Sequence, residues 1–215
     1  MNKNILDTKE LFIFDLDGTV CDTEPCHHAA YVRTIESLCP GNTIPPEEFL
    51  SCYVGHSETE IYSLLKKNKS IDFDDGLFFR TRIENLFEIV KERSLDCAPF
   101  YRQLEALYPD RRFIALTSQR VSVLDRFREL VNYGKIKEFI SVADKPYSKR
   151  DVLSDTEKFL GVPQDKCVIF EDFAPTLRAA MENGIYAVGV CHDFNSLSCD
   201  DCNELTDIHK EAVFS

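Results

Sequence analysis

Five short apolar runs, separated by stretches with helical periodicity, constrain the fold of this chain more than any other feature. The runs span residues 11–15, 113–117, 139–142, 167–170 and 186–190. After the second run, Val123, Phe127 and Leu130 recur at helical spacing, and similar patterns separate the later runs. Strands that alternate with helices form a parallel sheet with crossover helices. We therefore predict an α/β fold whose strands share one carboxyl edge, where such sheets bind ligands.

Residues 21–97 break this alternation, because they separate the first two runs and carry only helical patterns. An amphipathic stripe is formed there by Leu77, Ile83, Leu86, Phe87 and Val90. Ala98-Pro99 is a plausible return hinge, since proline is favoured at the first position of a helix. The sequence predicts an α/β core over 1–20 and 98–215 and an inserted helical domain over 21–97.

Composition narrows the possible partners and locations. The 215 residues include 37 acidic and 25 basic side chains, for a formal net charge of -12. Binding to nucleic acid or to an anionic membrane requires a lysine and arginine surface, so neither partner is expected.

The apolar runs are far shorter than the ~20 residues that cross a bilayer, and residues 1–10 do not resemble a signal peptide. Nine cysteines without framework spacing suit a reducing compartment, so a cytoplasmic location is expected. A monomer and a homodimer remain equally open.

The first apolar run ends in Asp15-Leu16-Asp17-Gly18-Thr19. Residues two apart in extended backbone project to the same side, so both carboxylates can face one pocket. Close carboxylates either raise one pKa or recruit a divalent cation, and oxygen ligands favour Mg²⁺. Taken alone, an Asp-x-Asp pair is more often an acidic strand end that faces water before a turn.

Residues 12–19 resemble the first motif of the haloacid dehalogenase superfamily, an apolar strand that ends in Asp-x-Asp-Gly-Thr or Asp-x-Asp-Gly-Val. The resemblance implies a Rossmann-like three-layer sandwich around a parallel sheet, with an inserted α-helical cap domain. It also implies that Asp15 is the nucleophile that forms an aspartyl-phosphate. Asp17 would donate a proton to the leaving oxygen and then take one from water. This divides one difficult displacement into two steps that each have an acid or base within reach.

The second and third motifs of this family have candidates in the chain. Residues 114–118 are similar to the second motif, which implies that Thr117 binds the transferring phosphoryl group with help from the backbone N–H of Ser118. The third motif supplies a lysine that offsets negative charge. Lys145 precedes a proline, as is common in the family, whereas Lys149 opens a helical pattern. Neither has the commonest spacing, so both stay open as substrate-binding or catalytic cations, and Lys149 is preferred for its place at the helix start.

A fourth motif, Glu171-Asp172, follows the fourth apolar run. The resemblance implies that Asp172 ligates Mg²⁺ beside Asp15 and the backbone carbonyl of Asp17. Glu171 is then either a further ligand or a neighbour of one. Phe173 stands where the family usually has serine, and this departure affects the expected shape of the loop.

In this family, an insertion between the first two motifs is a cap that closes over the active site, as in relatives of β-phosphoglucomutase and phosphoglycolate phosphatase. Residues 22–29 resemble the hinge segment, so His27 is a candidate for substrate contact, unless it is only a polar residue on a cap helix. Residues 54–58 match the substrate-reaching turn. Mutases carry basic residues there, whereas this chain has Val54 and Glu58.

Because Glu58 would repel a second phosphate, the resemblance favours a magnesium-dependent phosphatase of a small phosphorylated metabolite. A sugar-phosphate mutase is the alternative, with Arg80 or Arg82 as a source of positive charge. A non-catalytic protein that accepts or binds phosphate is favoured least.

Cysteine and histidine residues near the C-terminus suggest a different metal. Cys191-His192 precedes Cys199-Asp200-Asp201-Cys202, and thiolate with imidazole suits zinc. One Cys-x-x-Cys pair is weak evidence for such a site, so free thiols in an acidic tail are the preferred interpretation.

Overall fold

The computed structural model describes residues 1–54, 58–143 and 145–214. They form two compact units. The first unit comprises Met1–Asp22 and Asp96–Ser215, and the second comprises Thr23–Leu95. The chain therefore leaves the first unit shortly after the Asp-x-Asp motif and returns to it at Asp96, one helix before the second strand.

The first unit is built on a six-stranded sheet in which all neighbouring strands are parallel. The strands are β1 (Leu11–Phe14), β2 (Arg112–Thr117), β3 (Glu138–Ser141), β4 (Cys167–Glu171), β5 (Tyr186–Cys191) and β6 (Glu204–Asp207). Their order across the sheet is β3-β2-β1-β4-β5-β6. The predicted α/β fold with a parallel sheet is confirmed, and β6 is an edge strand that the apolar runs did not indicate.

Helices cover the sheet on both faces, as parallel sheets require. They are α1 (Lys3–Leu6), α6 (Pro99–Leu107), α7 (Val121–Leu130), α8 (Lys149–Ser154), α9 (Thr156–Leu160) and α10 (Ala174–Glu182). On one face, Leu11 and Ile13 of β1 belong to a buried cluster with Val152 of α8 and Leu177 of α10. On the other face, Phe14 contacts Tyr101 of α6 at a ring-centroid distance of 5.1 Å. The result is a three-layer sandwich.

The four residues of β1 are all buried, which explains why this segment reads as a continuous apolar run. Strand β1 lies between β2 and β4, with Phe14 opposite both Ala115 and Phe170. The residue after Phe14 therefore enters the carboxyl edge of the sheet at its centre.

The second unit is helical. It contains α2 (Glu24–Leu38), α3 (Pro46–Cys52), α4 (Glu58–Lys69) and α5 (Asp75–Arg93). Helices α2 and α5 pack along each other, and aromatic rings fill the interior, with Tyr31 and Phe49 5.6 Å apart between centroids. Residues 55–57 of the turn singled out at 54–58 lie outside the described residues. Across the described residues, no helix combines the length and apolar character needed to span a membrane.

Candidate active site

The acidic residues at the carboxyl edge are brought together by strand register. Phe14 of β1 lies beside Phe170 of β4. The residues that follow them, Asp15 and Glu171, therefore enter the carboxyl edge of the sheet at neighbouring positions. The backbone N–H of Asp15 donates to the carbonyl of Phe170 at 2.9 Å, which extends the pairing by one residue. The parallel pairing of β1 and β4 therefore brings together the first and fourth motifs, which are far apart along the chain.

Lys149 lies between two of these carboxylates. Its Nζ is 2.8 Å from Oδ2 of Asp15 and 2.9 Å from Oε2 of Glu171. The side chain of Lys149 is 11% exposed and that of Glu171 is 1% exposed, so water screens these ion pairs little. Burial acts to lower the pKa of Lys149, but the two carboxylates outweigh it and hold the pKa above its usual value. The structure thus brings Lys149 into the acidic group, while Lys145 lies exposed on the preceding turn.

A capping box explains why Lys149 reaches this position. The Oγ of Ser148 accepts the backbone N–H of Asp151 at 3.3 Å, and the Asp151 carboxylate accepts the backbone N–H of Ser148 at 2.7 Å. This reciprocal pair starts α8 at Lys149.

Asp15, Glu171 and Asp172 form a group suited to a divalent cation. One ligand atom from each lies within 4.8 Å of the others. Burial, and then the neighbouring Asp15, raises the pKa of Glu171 well above its usual value, and burial likewise raises the pKa of Asp15 against the opposing effect of Lys149. Oε1 of Glu171 is buried and accepts no hydrogen bond from the described residues. A buried carboxylate oxygen that accepts no hydrogen bond and lies among other negative charges is a suitable ligand for a cation. These residues therefore fit a divalent metal ion.

The second aspartate of the motif is held by a residue that the motifs did not identify. Nε2 of Gln119 donates to Oδ2 of Asp17 at 2.6 Å. The backbone of Gln119 is fixed in turn, since its N–H donates to Oγ1 of Thr117 at 3.1 Å and its carbonyl accepts Oγ of Ser141 at 2.5 Å. Thr117 is buried at the end of β2 and Ser118 is exposed. Gln119 lies two residues beyond a strand end, which is the only signal in the sequence that could have found it.

Asp172 has a further neighbour at the end of β5. Nε2 of His192 lies 3.0 Å from Oδ2 of Asp172. His192 follows β5 directly, so the expectation that residues after strand ends line the site applies to it, although its sequence context suggested zinc. Among the described residues, the His192 and cysteine positions named for zinc form no metal-ligating group, whereas Asp15, Glu171 and Asp172 do.

His27, proposed from the hinge resemblance, lies in the first turn of α2 and therefore belongs to the helical unit. Its backbone N–H donates to the carbonyl of Thr23 at 2.9 Å. Its predicted role in substrate binding stays a prediction.

The family model for haloacid dehalogenase-like hydrolases matches residues 12–190. Among curated proteins, the chain is 27% identical over 193 residues to a phosphorylated carbohydrates phosphatase of Thermotoga maritima, covering 86% of this chain and 87% of that protein.

Solved structures share the architecture. CbbY from Rhodobacter sphaeroides, crystallised with phosphate, aligns with a TM-score of 0.76 at 17% identity and covers 92% of this chain and 93% of its own. A putative β-phosphoglucomutase from Thermotoga maritima aligns with a TM-score of 0.71 at 25% identity, over 93% of this chain and 95% of its own. Each alignment covers more than nine-tenths of this chain, so it includes residues of both compact units.

Proposed function

The chain is a phosphatase that belongs to the haloacid dehalogenase-like hydrolase family, and we propose that it hydrolyses the phosphate monoester of a small metabolite. The proposed reaction forms an aspartyl-phosphate on Asp15 and uses Mg²⁺ as cofactor. The observation that carries this proposal is the position of the Asp15 carboxylate, paired with Lys149 at 2.8 Å and grouped with Glu171 and Asp172. A carboxylate that is paired with a lysine ammonium group and held in a fixed direction is suited to act as a nucleophile.

In the first step, a carboxylate oxygen of Asp15 forms a bond to phosphorus while the bond from phosphorus to the leaving oxygen breaks. The leaving oxygen takes a proton from Asp17. In the second step, Asp17 removes a proton from water as the water oxygen attacks phosphorus, and Asp15 is released with inorganic phosphate. The amide of Gln119 fixes the rotation of the Asp17 carboxyl group at 2.6 Å, which supports its use in both steps.

Two residues of the core are proposed to bind the phosphoryl group. The hydroxyl of Thr117 already accepts the N–H of Gln119, and a hydroxyl retains one hydrogen to donate to a phosphoryl oxygen. The backbone N–H of Ser118 follows at the same strand end. Lys149 offsets the negative charge that Asp15 and the phosphoryl group bring together.

The metal ion is proposed to be held by Asp15, Asp172 and Glu171, together with the backbone carbonyl of Asp17. When bound, Mg²⁺ neutralises part of the charge on the transferring phosphoryl group. The donors are all oxygen atoms, which favours Mg²⁺ over ions that prefer nitrogen or sulfur. The unsatisfied Oε1 of Glu171 supports its inclusion among the groups facing the ion.

The charge of the helical unit supports a phosphatase over a mutase. The buried Arg82 is, with Arg80, one of the two candidate cations for a second phosphate, and it is ion-paired with Glu58. Its guanidinium also lies 5.1 Å from the ring centroid of Tyr31. An arginine already neutralised in this way is a poor receptor for a second phosphate. We therefore propose a monophosphate substrate, in agreement with the phosphatase name of the curated relative.

We propose that Thr23–Leu95 acts as a cap that excludes water during phosphoryl transfer and supplies the groups that select the substrate, with His27 among them. The physiological substrate is then to be sought among compact metabolites, such as sugar phosphates and phosphoglycolate, that a cap of this kind can enclose.

The proposal is tested by measuring phosphate release with Mg²⁺, first from p-nitrophenyl phosphate and then from a panel of phosphorylated metabolites. Asp15→Asn should lower kcat by at least about 10³-fold, and acid quenching of the wild type with labelled substrate should trap a phosphorylated protein that Asp15→Asn does not form. The exposed Asp200→Asn is the matched control and should retain full activity. Equal turnover by wild type and Asp15→Asn would refute the assignment of Asp15.

A further inference from the structure

The loop that follows β5 is fastened to the residue Asp172. Nδ2 of Asn195 donates to the backbone carbonyls of both Val190 at 2.7 Å and Asp172 at 3.1 Å. Oδ1 of Asn195 accepts the backbone N–H of His192 at 3.2 Å. One side chain therefore ties the end of β5, the start of the loop and the backbone of Asp172 together.

Within this loop, the hydrogen bonds define the tautomer of His192. The backbone N–H of Phe194 donates to Nδ1 of His192 at 3.1 Å, so Nδ1 carries the lone pair and the ring hydrogen lies on Nε2. Nε2 is 3.0 Å from Oδ2 of Asp172 and therefore donates to it. The His192 side chain is 2% exposed, so water does not compete for this hydrogen bond.

The same pair lies against the Asp-x-Asp loop. Gly18 has a φ of +64°, and a Cβ atom at this position would lie 2.6 Å from Oδ2 of Asp172 and 2.8 Å from Nε2 of His192. Only a residue without a side chain permits this approach. The Asp172–His192 pair is thus packed directly under the turn that follows Asp17.

We propose that His192 is a positioning residue for the metal site: its Nε2–H holds the Asp172 carboxylate in the orientation that groups it with Asp15 and Glu171. This rests on the proposed function in one respect, the role of Asp172 as a metal ligand. A carboxylate near like charges rotates away from them unless a donor fixes it, and His192 is a donor that adds no positive charge in this tautomer. Its effect therefore falls on metal affinity, because the hydrogen bond organises a ligand before the ion arrives.

The test compares two side chains of similar size, His192→Gln, whose amide can donate, and His192→Met, which cannot. The dissociation constant of Mn²⁺ is measured on metal-stripped protein by electron paramagnetic resonance, and the Mg²⁺ concentration for half-maximal phosphate release is measured alongside. We expect His192→Met to weaken metal binding about 10- to 100-fold and His192→Gln to recover most of the affinity. At saturating Mg²⁺, kcat and KM of both variants should approach those of the wild type.

His209→Met is the matched control, because His209 is a half-exposed histidine that lies 3.6 Å from Asp22 in the same unit. It should bind Mn²⁺ as the wild type does. Equal Mn²⁺ affinity in His192→Met and His192→Gln would overturn the inference. A third variant, Asp172→Asn, tests the proposed metal site independently of His192. If Asp172→Asn binds Mn²⁺ as tightly as the wild type, Asp172 is not a ligand and the proposed metal site itself is wrong.

Discussion

Among single residues, Lys149 is the cation whose surroundings most directly predict a loss of activity. Its removal would leave the buried carboxylates of Asp15 and Glu171 without their ion-pair partner and the phosphoryl group without a nearby positive charge. We expect Lys149→Met to lower kcat/KM by about 10²- to 10³-fold. Lys145→Met, at an exposed position four residues earlier, should stay within about 2-fold of wild type in the same phosphate-release assay. A larger loss in Lys145→Met would assign the motif lysine to Lys145.

Gly18 and Gly161 provide a second matched pair, because both have positive φ, +64° and +74°, and differ in their surroundings. A Cβ at Gly18 would overlap the Asp172 carboxylate, whereas a Cβ at Gly161 would meet no described atom within 4 Å. Both alanine variants should lose about 1–2 kcal/mol of unfolding free energy from backbone strain. Only Gly18→Ala should also lose activity, by at least about 10-fold. Urea denaturation and phosphate release separate the two effects, and equal activity of both variants would contradict the close approach at Gly18.

The sequence could identify Asp15, Asp17 and Asp172 as candidates because they stand at strand ends in a recognisable order. Gln119 and His192 could not be assigned in this way, since neither belongs to one of the four family motifs and their contacts with Asp17 and Asp172 arise from strand order in the sheet. Spacing also left Lys145 and Lys149 open. The capping box supplies the physical distinction, because it places the start of α8, and hence Lys149, against the carboxyl edge.

At the scale of secondary-structure elements, the cap of α8 links helix stability to the site. Ser148→Ala removes the side-chain acceptor for the Asp151 N–H, and we expect a loss of about 1 kcal/mol in unfolding free energy. Ser154→Ala, at the other end of α8, removes only a hydroxyl that donates to the Asp151 carbonyl and should change stability by less than about 0.5 kcal/mol. Urea denaturation at pH 7 checks both values, and equal losses in the two variants would contradict the capping role.

The same cap predicts a pH dependence. Hydrogen bonds from the backbone and side chain of Ser148 lower the pKa of Asp151 below its usual 3.8. A carboxyl group whose pKa is depressed by folding adds stability above its unfolded pKa, and this stability is lost as the pH falls through the folded value. The stability difference between wild type and Ser148→Ala should therefore be complete at neutral pH and shrink below about pH 4. Urea denaturation from pH 7 to pH 3 measures it, and a difference that grows in acid would contradict the argument.

Strands β1, β2, β4 and β5 could be predicted because buried parallel strands require continuous apolar residues. Strand β3, at the opposite edge from β6, is only partly buried, and the adjacent Phe139 and Ile140 gave it an apolar pattern. Strand β6 could not be predicted, since Glu204-Leu205-Thr206-Asp207 is half-buried at the sheet edge and contains one strongly apolar residue. Its position depends on Asn203, whose N–H donates to the carbonyl of Ala187 at 2.9 Å and whose Oδ1 accepts the Ala187 N–H at 2.7 Å. Such pairing is a tertiary contact that local sequence does not encode.

At the scale of the whole molecule, the acidic group should make stability depend on metal. Burial and the charges of Asp172 and Asp17 raise the pKa of Asp15, burial and the charge of Asp15 raise that of Glu171, and Lys149 offsets only part of these effects. The metal-free protein therefore contains buried repulsion that a bound cation relieves. Mg²⁺ at 100 times its dissociation constant should add about 2.7 kcal/mol of stability, or roughly 5–10 °C in Tm for a chain of this length.

Glu171→Gln tests this coupling, because it removes one buried negative charge while keeping the size of the side chain. Without metal, the variant should be more stable than the wild type, since it no longer buries a carboxylate whose pKa is raised by burial and by Asp15. With Mg²⁺, it should gain less in Tm than the wild type, because one of the proposed oxygen donors is weaker. Calorimetry in chelator and in MgCl₂ measures both quantities, with NaCl at equal ionic strength as the control for screening of surface charge. An equal rise in Tm with NaCl and MgCl₂ would show that the response comes from the overall charge of -12 and not from the group around Glu171.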